Sequence, residues 1–83
     1  MDANQIKEEF TAYMKERYGC IAKTSWHLIT WAIDRKDGAL GYPEKSAKRK
    51  ALLTDFASWC KGKHKSSSWE NCAAFFAEKG LLK

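Results

Sequence analysis

The sequence predicts an all-α fold: a compact single domain of about four short helices occupying residues 1–83. Apolar side chains recur at helical spacing in four separate stretches, rather than alternating over paired stretches as strands do. Capping residues open these stretches, and glycines or turn-forming clusters separate them. The 83 residues suffice for one modest core and no second one, which excludes a two-domain enzyme. A hydrophobic fraction of 45%, with four Trp, four Phe and three Tyr, gives that core enough aromatic area to be dense.

The first helix is expected over residues 2–18. Asp2 can cap it with Gln5 three residues on, and Ile6, Phe10, Tyr13 and Met14 form its apolar stripe. Gly19 suits the left-handed conformation past its end. The stretch 24–38 fits a helix or a strand. Trp26, Ile29, Ala32 and Ile33 follow a helical stripe, while Trp26, Leu28, Thr30 and Ala32 alternate. A helix capped by Thr24 or Ser25 and stopped at Gly38 is favoured, because an isolated strand would find no partner elsewhere. With Leu28 and Trp31 lying off the stripe, this helix is apolar around most of its circumference and is expected at the centre.

Two glycines and the only proline make residues 38–43 a turn, with Pro43 opening the third helix. That helix is expected to end at Trp59 or Cys60, burying Leu52, Phe56, Trp59 and Cys60. Residues 61–68, "KGKHKSSS", then form a basic loop. Ser67 with Glu70 fits a capping box for a fourth helix, whose stripe is Trp69, Cys72, Ala73 and Phe76. Gly80 stops it, and Leu81 and Leu82 fold back on its end.

The net charge of +5 is concentrated in one segment. Residues 1–44 hold six Lys/Arg against seven Asp/Glu, and residues 66–83 hold two of each. Between them, Lys45, Lys48, Arg49, Lys50, Lys61, Lys63 and Lys65 face a single acid, Asp55. Such an excess is the electrostatic footprint of a polyanion binder, or simply a solvated lysine-rich surface. Four of these cations open the third helix, the end where the backbone already carries partial positive charge. Projected at about 100° per residue, Lys45 and Arg49 fall on the apolar stripe, Lys48 on its flank and Lys50 away from it. The cations therefore either snorkel outward, offset by Glu44 and Asp55, or border a groove that takes a phosphate at the helix start. A helix-turn-helix made from the second and third helices would suit nucleic acid, with a second cluster at Lys61, Lys63, His64 and Lys65 roughly 25 Å along the helix.

The competing partner is an acidic protein surface, met by aromatic anchors; Trp31, Tyr42 and Trp69 are the candidates, each of which could instead fill the core. Cys20, Cys60 and Cys72, an odd number at irregular spacing, are expected as reduced thiols. Cys60 and His64, with Cys20 and His27, match no standard zinc pattern, and no orienting third group accompanies a Cys60–His64 nucleophile and base pair. Asp34 and Asp37, like Glu8 and Glu9, are expected on solvated helix surface. No apolar run of about 18 residues and no secretory leader is present, so a cytoplasmic location is expected. The sequence thus predicts a non-catalytic domain, without metal, cofactor or evident small-molecule substrate, that binds nucleic acid through the seven cations of residues 45–65 or docks on an acidic protein.

Overall fold

The computed structural model describes residues 1–19, 22–38 and 40–82. Four helices follow one another: α1 (Ala3–Tyr18), α2 (Ser25–Asp37), α3 (Tyr42–Lys63) and α4 (Trp69–Lys79). The all-α expectation holds, and residues 25–33 are helix, not strand.

Local chemistry sets the helix ends. Asp2 forms the full capping box with Gln5: its carboxylate accepts from the Gln5 N–H at 2.8 Å, and the Gln5 side chain accepts from the Asp2 N–H at 3.0 Å. Thr24 caps α2 by accepting from the His27 N–H at 3.1 Å. Gly41 precedes α3, and Pro43 sits in its first turn, where no intrahelical donor is needed.

Two boundaries differ from expectation. Helix α3 runs one turn past Cys60, through Gly62, and ends where His64 turns left-handed with φ 55°. Lys61 and Lys63 occupy its last turn, where cations complement the carbonyl end of the dipole, and this favours continuing the helix over a loop. At α4 the cap is Ser68, not Ser67, and its hydroxyl accepts from the Asn71 N–H at 3.3 Å. The shift of one residue lets Asn71 Nδ2 reach back to the Ser66 carbonyl at 3.0 Å and the Ser67 carbonyl accept from Ser25 Oγ at 2.8 Å. Both hydrogen bonds pin the 64–68 connection to its neighbours.

The core is continuous through all four helices. Ile6, Phe10 and Met14 enter it from α1, Phe56 and Cys60 from α3, and Cys72, Ala73, Phe75 and Phe76 from α4, with Leu82 folded back beneath them. Helix α2 buries Leu28, Ile29, Trp31, Ala32 and Ile33, an arc of about 200° at 100° per residue, which makes it central as expected. Helix α4 shares that position, packing on α1, α2 and α3. The radius of gyration, 12.2 Å, matches the roughly 12 Å of a single compact domain of this length. Among the described residues, no polar or charged residue is buried. No helix among them is long and apolar enough to cross a membrane.

Candidate nucleic-acid interface

The seven cations of residues 45–65 do not form one surface. They divide into a set that pairs with groups on neighbouring helices and a set without such a partner among the described residues.

The paired set sits at the α2–α3 crossing. Lys45 Nζ lies 2.5 Å from Asp34 Oδ1, and Lys48 Nζ lies 2.9 Å from Asp37 Oδ2. Oδ1 of Asp34 is sequestered from water and has no hydrogen-bond partner, so the Lys45 ammonium is its compensation. Arg49 Nε donates to Thr30 Oγ1 at 3.0 Å, while that hydroxyl donates to the Trp26 carbonyl at 2.9 Å. The Arg49 guanidinium also lies over the Trp26 ring, 4.4 Å from its centroid. Both aspartates stand at the carbonyl end of α2 and both lysines at the amide end of α3, each in the wrong place for its own helix dipole. Across the crossing each misplaced charge finds its opposite. The expectation that Asp34 and Asp37 are merely solvated is therefore corrected, and so is the assignment of Glu44 and Asp55 as the offsetting acids.

Lys63, though exposed, is paired as well. Its ammonium reaches Glu78 Oε1 on α4 at 2.8 Å, and the Trp59 indole N–H donates to the other oxygen of the same carboxylate. These hydrogen bonds, Lys63 first and Trp59 second, hold the Glu78 carboxyl below its ordinary range. Lys63 and Lys65 both approach the Trp59 ring, at 5.2 and 5.6 Å from its centroid.

Outward-facing cations lie on α3, which buries only Phe56 and Cys60 of its 22 residues. Away from those two it exposes Ala47, Lys50, Ala51, Thr54, Asp55, Ala57, Ser58 and Lys61. Lys50 and Lys61 are eleven positions apart, about three turns, so they share one line of this face roughly 16 Å from each other. On that line between them lie Thr54 and Ala57, both small and uncharged, while the exposed Asp55 lies well off it. Lys65 follows just past the helix end and is exposed. None of Lys50, Lys61 and Lys65 has a carboxylate partner among the described ion pairs.

The aromatic anchors need correction. Trp31 is 7% exposed and packs against Phe10, with ring centroids 5.8 Å apart, so it is a core residue. Trp69 is half-buried against the other side of Phe10 at 5.7 Å, with the Lys23 ammonium above it. Tyr42, of the three candidates, is the one fully exposed, at 80%. The sequence reading missed Trp26 and Tyr18, exposed at 46% and 43%, which meet edge-on through the His27 ring between them. Trp26 looked like a stripe residue; it lies at the rim of the buried arc and turns toward Arg49 instead.

The thiols offer no reactive pair. Burial pushes Cys60 up, with Lys65 partly opposing, and pushes Cys72 up to about 12, with nearby Cys60 adding to the rise and Ser25 opposing it. His64 lies past the end of α3 with φ 55°, so Cys60 and His64 do not share a helix face. Among the described residues, no group of three or more His, Cys, Asp or Glu is arranged to hold a metal ion. Cys20 lies outside the described residues. Comparison with protein-family models, curated proteins and solved structures finds no match to this chain.

Proposed function

We propose that this protein is a non-catalytic domain that binds nucleic acid through the exposed face and C-terminal end of α3, with Lys50 and Lys61 on that face and Lys65 past the helix end contacting phosphates. One observation carries this reading: once the ion pairs are assigned, Lys50 and Lys61 are left without a carboxylate partner among the described residues and share one exposed line of the longest helix, with Lys65 following just past its end beside Trp59. Small side chains between Lys50 and Lys61 allow close approach to base edges. Their separation of roughly 16 Å is comparable to a major groove about 12 Å wide between its phosphate walls. The α2–α3 arrangement supports the same reading. A four-residue connection, residues 38–41, joins two packed helices, and side chains of residues 45–49 on α3 reach α2 residues from Trp26 to Asp37. Relative to the sequence-based assignment, Lys45, Lys48, Arg49 and Lys63 are each engaged by a group on a neighbouring helix, and the proposed phosphate contacts narrow to Lys50, Lys61 and Lys65, which have no such partner among the described residues.

The test is fluorescence anisotropy with labelled duplex DNA, single-stranded DNA and RNA at low salt. Wild-type protein should bind at least one of them with micromolar affinity. The Lys50→Glu/Lys61→Glu variant should lose that binding while retaining its helical circular dichroism, whereas Lys45→Met should retain it. Absence of binding to every probe would overturn the proposal. A second reading, docking on an acidic protein surface, is favoured by the exposed Trp26, Tyr18 and Tyr42, since aromatic side chains dominate interface hot spots. Under that reading, capture of a protein partner should depend on Trp26 rather than on Lys50 and Lys61.

A further inference from the structure

Independently of nucleic-acid binding, the structure contains a second feature with ligand chemistry: a cleft of about 220 Å³ between the end of α2, the first half of α3 and the returning residues 81–82. Its floor is hydrocarbon, supplied chiefly by Ile33, Leu52, Phe76 and Leu82. Lys36, Lys48 and Asp37 also line it and are the charged groups there. Lys48 is shared with Asp37 at 2.9 Å and remains 48% exposed, so its ammonium can still take a second anionic partner. Lys36 is exposed and has no carboxylate partner among the described ion pairs.

We infer that this cleft binds a small amphipathic monocarboxylate, hydrocarbon body on the apolar floor and carboxylate against Lys36 and Lys48. Charge complementarity selects the head group: two ammonium groups against one carboxylate leave the cleft with a net positive charge, which favours an anion over a neutral or cationic amphiphile. The volume selects the body. A cavity of about 150 Å³ holds benzene, so this one takes about ten non-hydrogen atoms, a medium-chain or aryl-substituted carboxylate rather than a long lipid chain or a row of peptide side chains. Binding would place the ligand's carboxylate in competition with Asp37 for Lys48. That competition gives the site a signature which non-specific hydrophobic adsorption lacks.

The experiment is a titration of the full chain with sodium octanoate, followed by amide chemical shifts in ¹H–¹⁵N spectra, with octanamide as the neutral analogue of equal size. A ligand of this size should bind with Kd on the order of 0.1–1 mM. Saturable shifts should centre on Ile33, Leu52 and Phe76. Octanamide and the Lys36→Gln/Lys48→Gln variant should each bind at least about fivefold more weakly, because the charge-assisted contact is lost. Asp37→Asn, which frees Lys48, should bind severalfold more tightly. Ala51→Trp, a substitution at an exposed position lining the cleft, should block binding while leaving the fold intact. Equal binding of octanoate and octanamide, unchanged affinity in the double lysine variant, or no shifts up to about 10 mM octanoate, an order of magnitude above the expected Kd, would each overturn the assignment. None of these outcomes depends on whether nucleic acid binds.

Discussion

Replacing Lys45 by methionine retains most of the stem that crosses from α3 to α2 and removes the ammonium. Asp34 Oδ1 is then left sequestered and uncompensated. The wild-type side chains are 23% and 39% exposed, so the pair lies between a surface salt bridge and a buried one. A surface pair contributes about 0.5 kcal/mol, and breaking a fully buried pair costs about 3–5 kcal/mol; partial exposure places Lys45→Met near the lower end, at about 1–1.5 kcal/mol. For a domain of this length that corresponds to a fall in Tm of about 4–10 °C. Removing both charges, in Lys45→Met/Asp34→Asn, eliminates the orphaned carboxylate, so the double variant should recover at least half of the loss. The coupling between the two positions should be about 1 kcal/mol. Lys48→Met, at the more exposed pair, should cost no more than about 0.5 kcal/mol. Urea denaturation followed at the helical circular dichroism band measures the wild type, these three variants and the Asp34→Asn single variant that completes the cycle. Coupling indistinguishable from zero, or a larger loss from Lys48→Met than from Lys45→Met, would refute the assignment of Lys45 to the helix crossing.

Three further outcomes follow from the same contacts. Ser68→Ala should destabilise the protein by about 1 kcal/mol, as loss of an N-cap does, while Ser67→Ala, which contributes a backbone carbonyl and no cap, should be close to neutral in the same denaturation assay. The Glu78 carboxyl is held below its ordinary value of 4.5, so its favourable contribution is complete above that value and is lost as pH falls through the lowered one; Glu78→Gln should flatten the acid limb of a plot of urea midpoint against pH. The Cys72 thiol is raised from 9.0 to about 12, so the folded state holds its proton more tightly than the unfolded chain does. Stability from this group is complete below pH 9.0 and declines above it, and peptide-resolved alkylation at pH 8 should leave Cys72 unmodified until denaturant is added.

The helices were legible in the sequence because their signals are local. The capping box at Asp2 and Gln5, the Thr24 cap and the periodic apolar residues of α1 and α4 each report on a few neighbouring positions. The two misplaced boundaries occur where local signals compete. Three consecutive serines offer three caps before α4, and only the tertiary hydrogen bonds of Ser25 and Asn71 select Ser68. Gly62 resembles a helix stop, yet α3 continues to Lys63, whose side chain reaches Glu78 across the bundle. The basic segment was legible as an excess of charge but not as a division of labour, since that depends on which helix each lysine faces. A usable signal was nevertheless present: Asp34 and Asp37 are spaced by three at the end of one helix, and Lys45 and Lys48 by three at the start of the next. Matched spacing of opposite charges, each set against its own dipole, points to a crossing between consecutive helices. For the aromatics no such pattern existed, because Trp26 and Trp31 are both plausible on a nearly all-apolar helix and only packing against Phe10 places Trp31 inside.

The most direct test of the central claim, that only Lys50, Lys61 and Lys65 meet nucleic acid, is the salt dependence of binding to duplex DNA. Three phosphate contacts imply a slope of about −2.7 in log affinity against log salt, hence a loss of roughly 40-fold between 50 and 200 mM. Lys50→Ala/Lys61→Ala should reduce that slope by about 1.8, and Lys45→Met should leave it unchanged. An unchanged slope in the Lys50/Lys61 variant, or a reduced one in Lys45→Met, would contradict the division of the basic segment into a set engaged by neighbouring helices and a set that meets phosphate.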